Sequence, residues 1–227
     1  MFLFDSGYMI FVLPALLFVL YAQARVKSAF ERNAGVWARS GVSGARVARQ
    51  LLDEAGLDDV PVERTPHQLG DHYDPRKRVV RLSAPVHDHS SLAALGVAAH
   101  EVGHAIQHGT GYVPLHIRNS IIPVAQFGST LAWPLFFVGL LTNAGALMDI
   151  GIILFTGAVL FQLVTLPVEF NASSRAVALL EGGNYLNRDE VGRAKEVLNA
   201  AALTYVAALA MAVAQLLRLM LLRGRRR

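Results

Sequence analysis

The 227-residue chain contains no cysteine, which excludes disulfide scaffolding and thiolate metal sites. Any metal it binds must be held by histidine and carboxylate side chains. Charge is scarce as well: Asp, Glu, Lys and Arg make up 17% of the residues against 53% hydrophobic, and mean hydropathy is +0.39. That balance argues against an ordinary soluble enzyme. Four stretches, residues 6–24, 119–148, 150–168 and 197–217, carry no charged residue at all. Each reaches the roughly 20 residues needed to cross a bilayer as a helix, so four membrane spans are expected. The first run lacks the basic residues that precede the apolar core of a signal peptide, since Asp5 is the only charge before Arg25; a retained anchor fits better. With no ionisable side chain inside the runs, an ion-transport pathway is disfavoured. A net charge of +4 and a pI near 9.7 do not imply nucleic acid. The basic residues flank the spans, where they anchor helices at headgroups, and no aromatic-basic binding motif accompanies them.

What the chain does contain is organised around LAALGVAAHEVGHAIQH, residues 92–108, whose centre is His100-Glu101-Val102-Gly103-His104. On a helix, four residues amount to about 1.1 turns, so His100 and His104 project from one face and can share a tetrahedral ion. Glu101 borders the same site. A carboxylate there can take a proton from a water activated by the ion and pass it to a leaving amine, which is general-base work in zinc-dependent hydrolysis. Gly103 costs about 1 kcal/mol of helix stability relative to alanine, so close approach of another helix is expected at that point, plausibly the one carrying Glu169.

The expected organisation is mainly α and integral to a membrane: four transmembrane helices with a small α+β zincin-like catalytic domain. Residues 1–24 form an anchor helix and 25–118 the catalytic domain, with the H-E-x-x-H helix at about 91–108. Residues 119–168 form a transmembrane hairpin, 169–196 a third-ligand helix and connecting segment, 197–222 the last span, and 223–227 a basic tail. Within 25–118, Ser43 is positioned to cap a helix that runs through Ala55 and stops at Gly56. Residues 60–63 and 79–82 read as short strands separated by the turn formers Asp74-Pro75. They are either a structural hairpin or an edge that holds an extended peptide across the metal. Ser90 or Ser91 can cap the H-E-x-x-H helix, and Gly109 ends it. The hairpin at 121–141 and 147–166 has so short a loop that its outer ends lie on one side of the membrane, the side of the catalytic helix. Asp149, at the hairpin turn, is expected to be solvated or at a headgroup.

Catalytic zinc usually takes three protein ligands and leaves a fourth position to water. A lone acid at a membrane boundary needs a partner, which makes Glu169 the expected third ligand. Ser173, four residues on, could bond a ligand imidazole and fix its tautomer, and Tyr73 or His72 could serve the oxyanion. His104 and His108 form a second i, i+4 pair but lack a glutamate between them. As regards metal ligation, His67, His72, His87, His89 and His116 are expected in loops or at the surface. Two imidazoles, one carboxylate and no thiolate point to zinc, one ion per chain.

The sequence resembles the YugP-type membrane zinc metallopeptidases. The resemblance runs from the first span to the last, through Asp71-His72-Tyr73-Asp74-Pro75 with Val79-Val80-Arg81-Leu82-Ser83, AAHEVGHAIQH, LFQLVTLPVEFNAS and VLNAAALTYVA. It implies a gluzincin-like site with His100, His104 and Glu169 on zinc and Glu101 as base. The Glu-x-x-Ala-Ser stretch is also similar to the Glu-x-x-Ala-Asp third-ligand helix of the HtpX-type membrane peptidases, with Ser173 where those carry aspartate. A peptide or protein substrate, free or membrane-associated, and the lipid bilayer are the expected partners. The rival reading is a non-catalytic scaffold with a structural metal; it would want a fourth protein ligand, and none is evident. Arg25, Lys27, Arg32 and Arg39 place the catalytic domain in the cytoplasm of a bacterial cell by the positive-inside rule. Arg223, Arg225, Arg226 and Arg227 oppose that orientation.

Overall fold

A computed structural model describes residues 5–67 and 70–225. The first residues of the 1–24 anchor, and Arg226 and Arg227 of the basic tail, lie outside the described residues. The chain is mainly helical. A π-helical turn, Tyr8–Val12, leads into α1 (Leu13–Ala34); α2 (Gly44–Glu54), β1 (Val62–Thr65), β2 (His72–Asp74), β3 (Val79–Ser83), α3 (Ala84–His87) and α4 (Leu92–Gly109) follow, and then α5 (Val113–Thr142), α6 (Gly145–Gly182) and α7 (Arg188–Gly224). Four of these helices, Tyr8–Ala34, Val113–Thr142, Gly145–Gly182 and Arg188–Gly224, are long and apolar enough to cross a membrane. The span-three and third-ligand segments are a single helix, since α6 continues through Pro167 without a break. The chain divides into two compact units, Met1–Gln23, His116–Pro167, Leu203–Arg227 and Ala24–Leu115, Val168–Ala202.

The second unit packs α2, α3, α4 and the sheet around Leu51, Leu52, Leu82, Leu92, Leu95 and Val102. Ser43 is the N-cap of α2, and Gly56, just past its end, adopts φ 68°, a left-handed conformation that glycine tolerates at a helix terminus. Ser91 caps α4, its hydroxyl oxygen accepting from the Ala94 N–H at 3.2 Å. The sheet departs from the sequence expectation. Its order is β1-β3-β2, so the two expected strands pair in parallel, Val62 beside Val80, and do not form a hairpin. The hairpin is instead β2–β3, with Tyr73 opposite Val80.

The first strand starts at Val62 rather than at residue 60 because Val60 is buried in the core and Pro61 has no N–H to give to a ladder. Strand β2 is three residues of mixed polarity, too short for alternation to show. Its ends are fixed by side chains: Asp71 accepts from the Ser83 N–H at 2.7 Å, and Asp74 accepts from the Arg76 and Lys77 N–H groups at 2.9 and 3.2 Å. Because β3 lies between two partners, the strand near Val79 is the middle one and not an edge; on that side the outermost strand is β2.

In the first unit α5 and α6 form a hairpin through Asn143 and Ala144, with Asn143 at φ 54°. Small residues let the backbones approach: a Cβ on Gly151 would sit 2.8 Å from the Ala132 carbonyl oxygen, while one on Gly157 would meet nothing within 4 Å. Asp149 is half-exposed at the hairpin turn and is also paired, its two oxygens accepting from Arg223 at 2.8 and 3.0 Å. Arg218 similarly meets Asp5 at 3.0 Å. Large apolar side chains such as Leu17, Val124, Phe127, Leu141, Ile153 and Leu163 remain exposed, a surface that needs a hydrocarbon surrounding. Two alanine substitutions separate packing from propensity. Gly157→Ala should raise thermal stability in detergent by up to about 1 kcal/mol, whereas Gly151→Ala should lower it by about 1–3 kcal/mol because backbone must move. Equal effects would contradict the α5–α6 packing.

Candidate metal centre

The site is built from two helices. On α4, the i, i+4 spacing puts the His100 and His104 rings edge to face with centroids 4.7 Å apart. On α6, Glu169 is buried and its Oε2 lies 3.3 Å from His100 Nε2 and 3.5 Å from His104 Nε2. The helices reach this separation because of Gly103: a Cβ there would stand 2.8 Å from the Ala172 carbonyl oxygen, closer than packed atoms tolerate. Ala172, one turn after Glu169 and itself small, presents the backbone that fills the space.

These distances can be tested against an ion. Two donor atoms each about 2.0–2.1 Å from one centre at a tetrahedral angle stand about 3.3–3.4 Å apart. The two observed nitrogen–oxygen separations match, and one donor atom from each of the three residues falls within 4.8 Å of the others. The set of two imidazole nitrogens and a carboxylate oxygen suits zinc. Among the described residues this cluster holds three candidate ligands.

Imidazole can ligate through Nε2 only if that nitrogen carries the lone pair, and the surrounding hydrogen bonds arrange this for His104. Gln107 is fully buried, and its Nε2 donates to the Val168 carbonyl at 2.8 Å and to Asn171 Oδ1 at 2.9 Å. With the amide nitrogen so committed, Oε1 is the atom that faces His104 Nδ1 at 3.0 Å. An amide oxygen only accepts, so Nδ1 carries the proton and Nε2 is free for metal. Asn171 is held in turn by Arg175, whose Nε donates to Oδ1 at 2.8 Å. Ser173 Oγ lies 3.2 Å from His100 Nδ1, where a hydroxyl oxygen can play the same part for the other ring.

Glu101 is buried beside these residues, and its Oε2 accepts from the Tyr73 N–H of β2 at 2.9 Å. Burial pushes its carboxyl up to about 7, the nearby charges of Glu169 and Asp71 adding to the shift and His100 opposing it. Tyr73 therefore enters the site through its backbone. Its hydroxyl is 2.8 Å from His108 Nδ1. His72 is exposed and its Nδ1 lies 2.7 Å from the Gly70 carbonyl. Neither side chain is drawn to the three-residue cluster, and the second histidine pair is divided, since His104 faces Glu169 and His108 faces Tyr73.

Gln107, Asn171 and Asp71 were not among the residues singled out from sequence. For Gln107 a signal existed: it follows His104 by three residues and so shares its helix face. Asn171 and Asp71 act across tertiary contacts that local spacing does not reveal.

A family model described as "Putative neutral zinc metallopeptidase" matches residues 8–224. The chain belongs to that family. It is also 50% identical over 202 residues, 89% of this chain and 90% of the relative, to a Bacillus subtilis (strain 168) protein named "Putative membrane protease YugP". No solved structure matches the chain. Zinc is thus the metal that family membership implies, and the donor set here fits it. Replacing Gln107 with leucine removes the acceptor that orients His104, and zinc affinity measured by chelator competition should fall about 10–100-fold with helix content retained. Wild-type affinity in Gln107→Leu would contradict the tautomer assignment.

Proposed function

We propose that the chain is a membrane-embedded zinc endopeptidase with one zinc per chain, held by His100, His104 and Glu169. The observation that carries this reading is the cluster of His100, His104 and Glu169, whose donor atoms lie within 4.8 Å of one another, beside the buried carboxylate of Glu101. Structural zinc is normally enclosed by four protein ligands, while a site with three leaves room for water and substrate. A bound zinc ion supplies Lewis acidity toward the scissile carbonyl and toward water. Glu101 takes the proton from the attacking water and delivers it to the leaving amine. Burial raises the proton affinity of this carboxyl, and a positive ion beside it favours the carboxylate form that accepts the first proton. Its hydrogen bond from Tyr73 N–H aims the carboxylate and ties the base to the sheet. Strand β2, the outermost of the three, offers the edge on which an extended peptide can add as a further strand, presenting one peptide bond to the base. The zincin-like character of the small α+β domain is part of the same proposal.

The four long helices cross the bilayer in this reading, with lipid covering their exposed apolar side chains. Substrates are peptides or proteins reached at or near a membrane, in a bacterial cell membrane; nucleic acid has no role. The cytoplasmic face for the catalytic domain is supported by Arg25, Lys27, Arg32 and Arg39 after the first span. One of the opposing C-terminal cations is less free than the sequence suggests, because Arg223 is paired with Asp149.

Metal content and cleavage separate the assigned roles. Glu101→Gln should keep zinc and lower cleavage of an unfolded-protein substrate by about 10²–10⁴-fold, and Glu169→Ala should lose zinc. Equal metal content in the two variants would remove Glu169 from the site. Full cleavage by Glu101→Gln would remove the general base.

A further inference from the structure

The first unit has a cleft of about 610 Å³, open on one side and lined by residues from all four long helices. That is the size of a small-molecule or peptide pocket. Its walls are aromatic and aliphatic, Phe155 and Phe161 among them, apart from Ser129, whose hydroxyl donates to the Gln126 carbonyl at 3.0 Å, and three glutamines: Gln126 from α5, Gln162 from α6 and Gln215 from α7. These are the only glutamines in those three helices, and all of them face the same space. Among the described residues none of the three carboxamides is hydrogen-bonded, and Gln215 Oε1 is buried without a partner. A carboxamide in a hydrocarbon surrounding costs free energy unless it is paired. Three such groups converging from three helices describe a site whose polar partner is brought by its occupant.

We propose that this cleft binds the apolar, membrane-inserted segment of a protein substrate where its backbone is not paired into a helix. The choice of a protein as occupant rests on the peptidase reading. An acyl chain offers a glutamine neither donor nor acceptor. An intact transmembrane helix offers none from its backbone either, because its N–H and C=O groups are bonded internally. An unwound peptide group has one of each, and a carboxamide pairs with both reciprocally. Non-helical backbone at membrane depth is stable only where protein surrounds it and supplies those bonds. The three glutamines would thus select substrates by the weakness of their transmembrane helix rather than by side-chain identity.

The test uses the full chain carrying Glu101→Gln in phosphatidylcholine nanodiscs, so that binding is read without cleavage. The probes are two dye-labelled synthetic peptides of about 20 apolar residues with lysine ends, one an uninterrupted Leu/Ala helix, the other broken at its centre by Gly-Pro. The broken peptide should bind at least tenfold more tightly. Combined Gln126→Leu, Gln162→Leu and Gln215→Leu substitutions should abolish that preference. Ala158→Trp, which keeps the glutamines and fills the space, should weaken binding of the broken peptide by a similar factor. Equal binding of the two peptides, no saturable binding of either, or a preference that survives the triple substitution would overturn the proposal. Cleavage of water-soluble peptides by the wild-type chain reports separately on the peptidase reading. Failure there with the binding preference intact, or success there without it, identifies which of the two is wrong.

Discussion

The space of one methyl group at Gly103 determines whether the three residues of the candidate metal site can meet. Two histidines on one helix face make half a site; the third donor sits on α6, and α6 reaches it only because the α4 backbone at Gly103 lies against the Ala172 carbonyl. The helix-propensity loss of about 1 kcal/mol at a mid-helix glycine is smaller than the cost of overpacking, about 1–3 kcal/mol, so close contact wins. The separations of 3.3 and 3.5 Å between Glu169 Oε2 and the two imidazole nitrogens are the direct consequence.

Around this contact the polar groups are ordered in one direction. Arg175 fixes Asn171, Asn171 and the Val168 carbonyl fix the Gln107 amide, and Gln107 fixes the proton of His104. Each bond leaves the next group one orientation, so the ring presents its lone pair before any ion arrives. A shell arranged in this way loses little order on metal binding, which is how outer partners raise metal affinity. Glu101 is kept outside the chain of bonds and anchored from the sheet, where it can exchange a proton without disturbing the ligands.

Much of this was legible in the sequence because it depends on short-range spacing. His100, Glu101 and His104 are fixed by helical periodicity, the helix limits by Ser43, Ser91 and nearby glycines, and the four apolar helices by uncharged length. Glu169 was legible for a different reason: an acid at the end of an apolar run needs a partner. What could not be read depends on pairing between distant segments. Strand β2 is three residues long, and its place at the sheet edge follows from Asp71, which accepts from Ser83 at the end of β3, and from Asp74, which caps the turn between the two strands. The parallel pairing of β1 with β3 was missed because sequence proximity favours a hairpin, and Pro61 shifts the start of the ladder. The Asp149–Arg223 pair joins residues 74 positions apart, and neither residue has a local feature that announces it.

The most direct measurement is zinc K-edge X-ray absorption on the zinc-loaded full-length protein at neutral pH, compared with His104→Ala. Two imidazole nitrogens and light oxygen ligands at about 2.0–2.1 Å in four-coordinate geometry, with one imidazole contribution lost in the variant, is the predicted result. A spectrum without imidazole scattering, or one unchanged by His104→Ala, would contradict the metal centre on which the account rests.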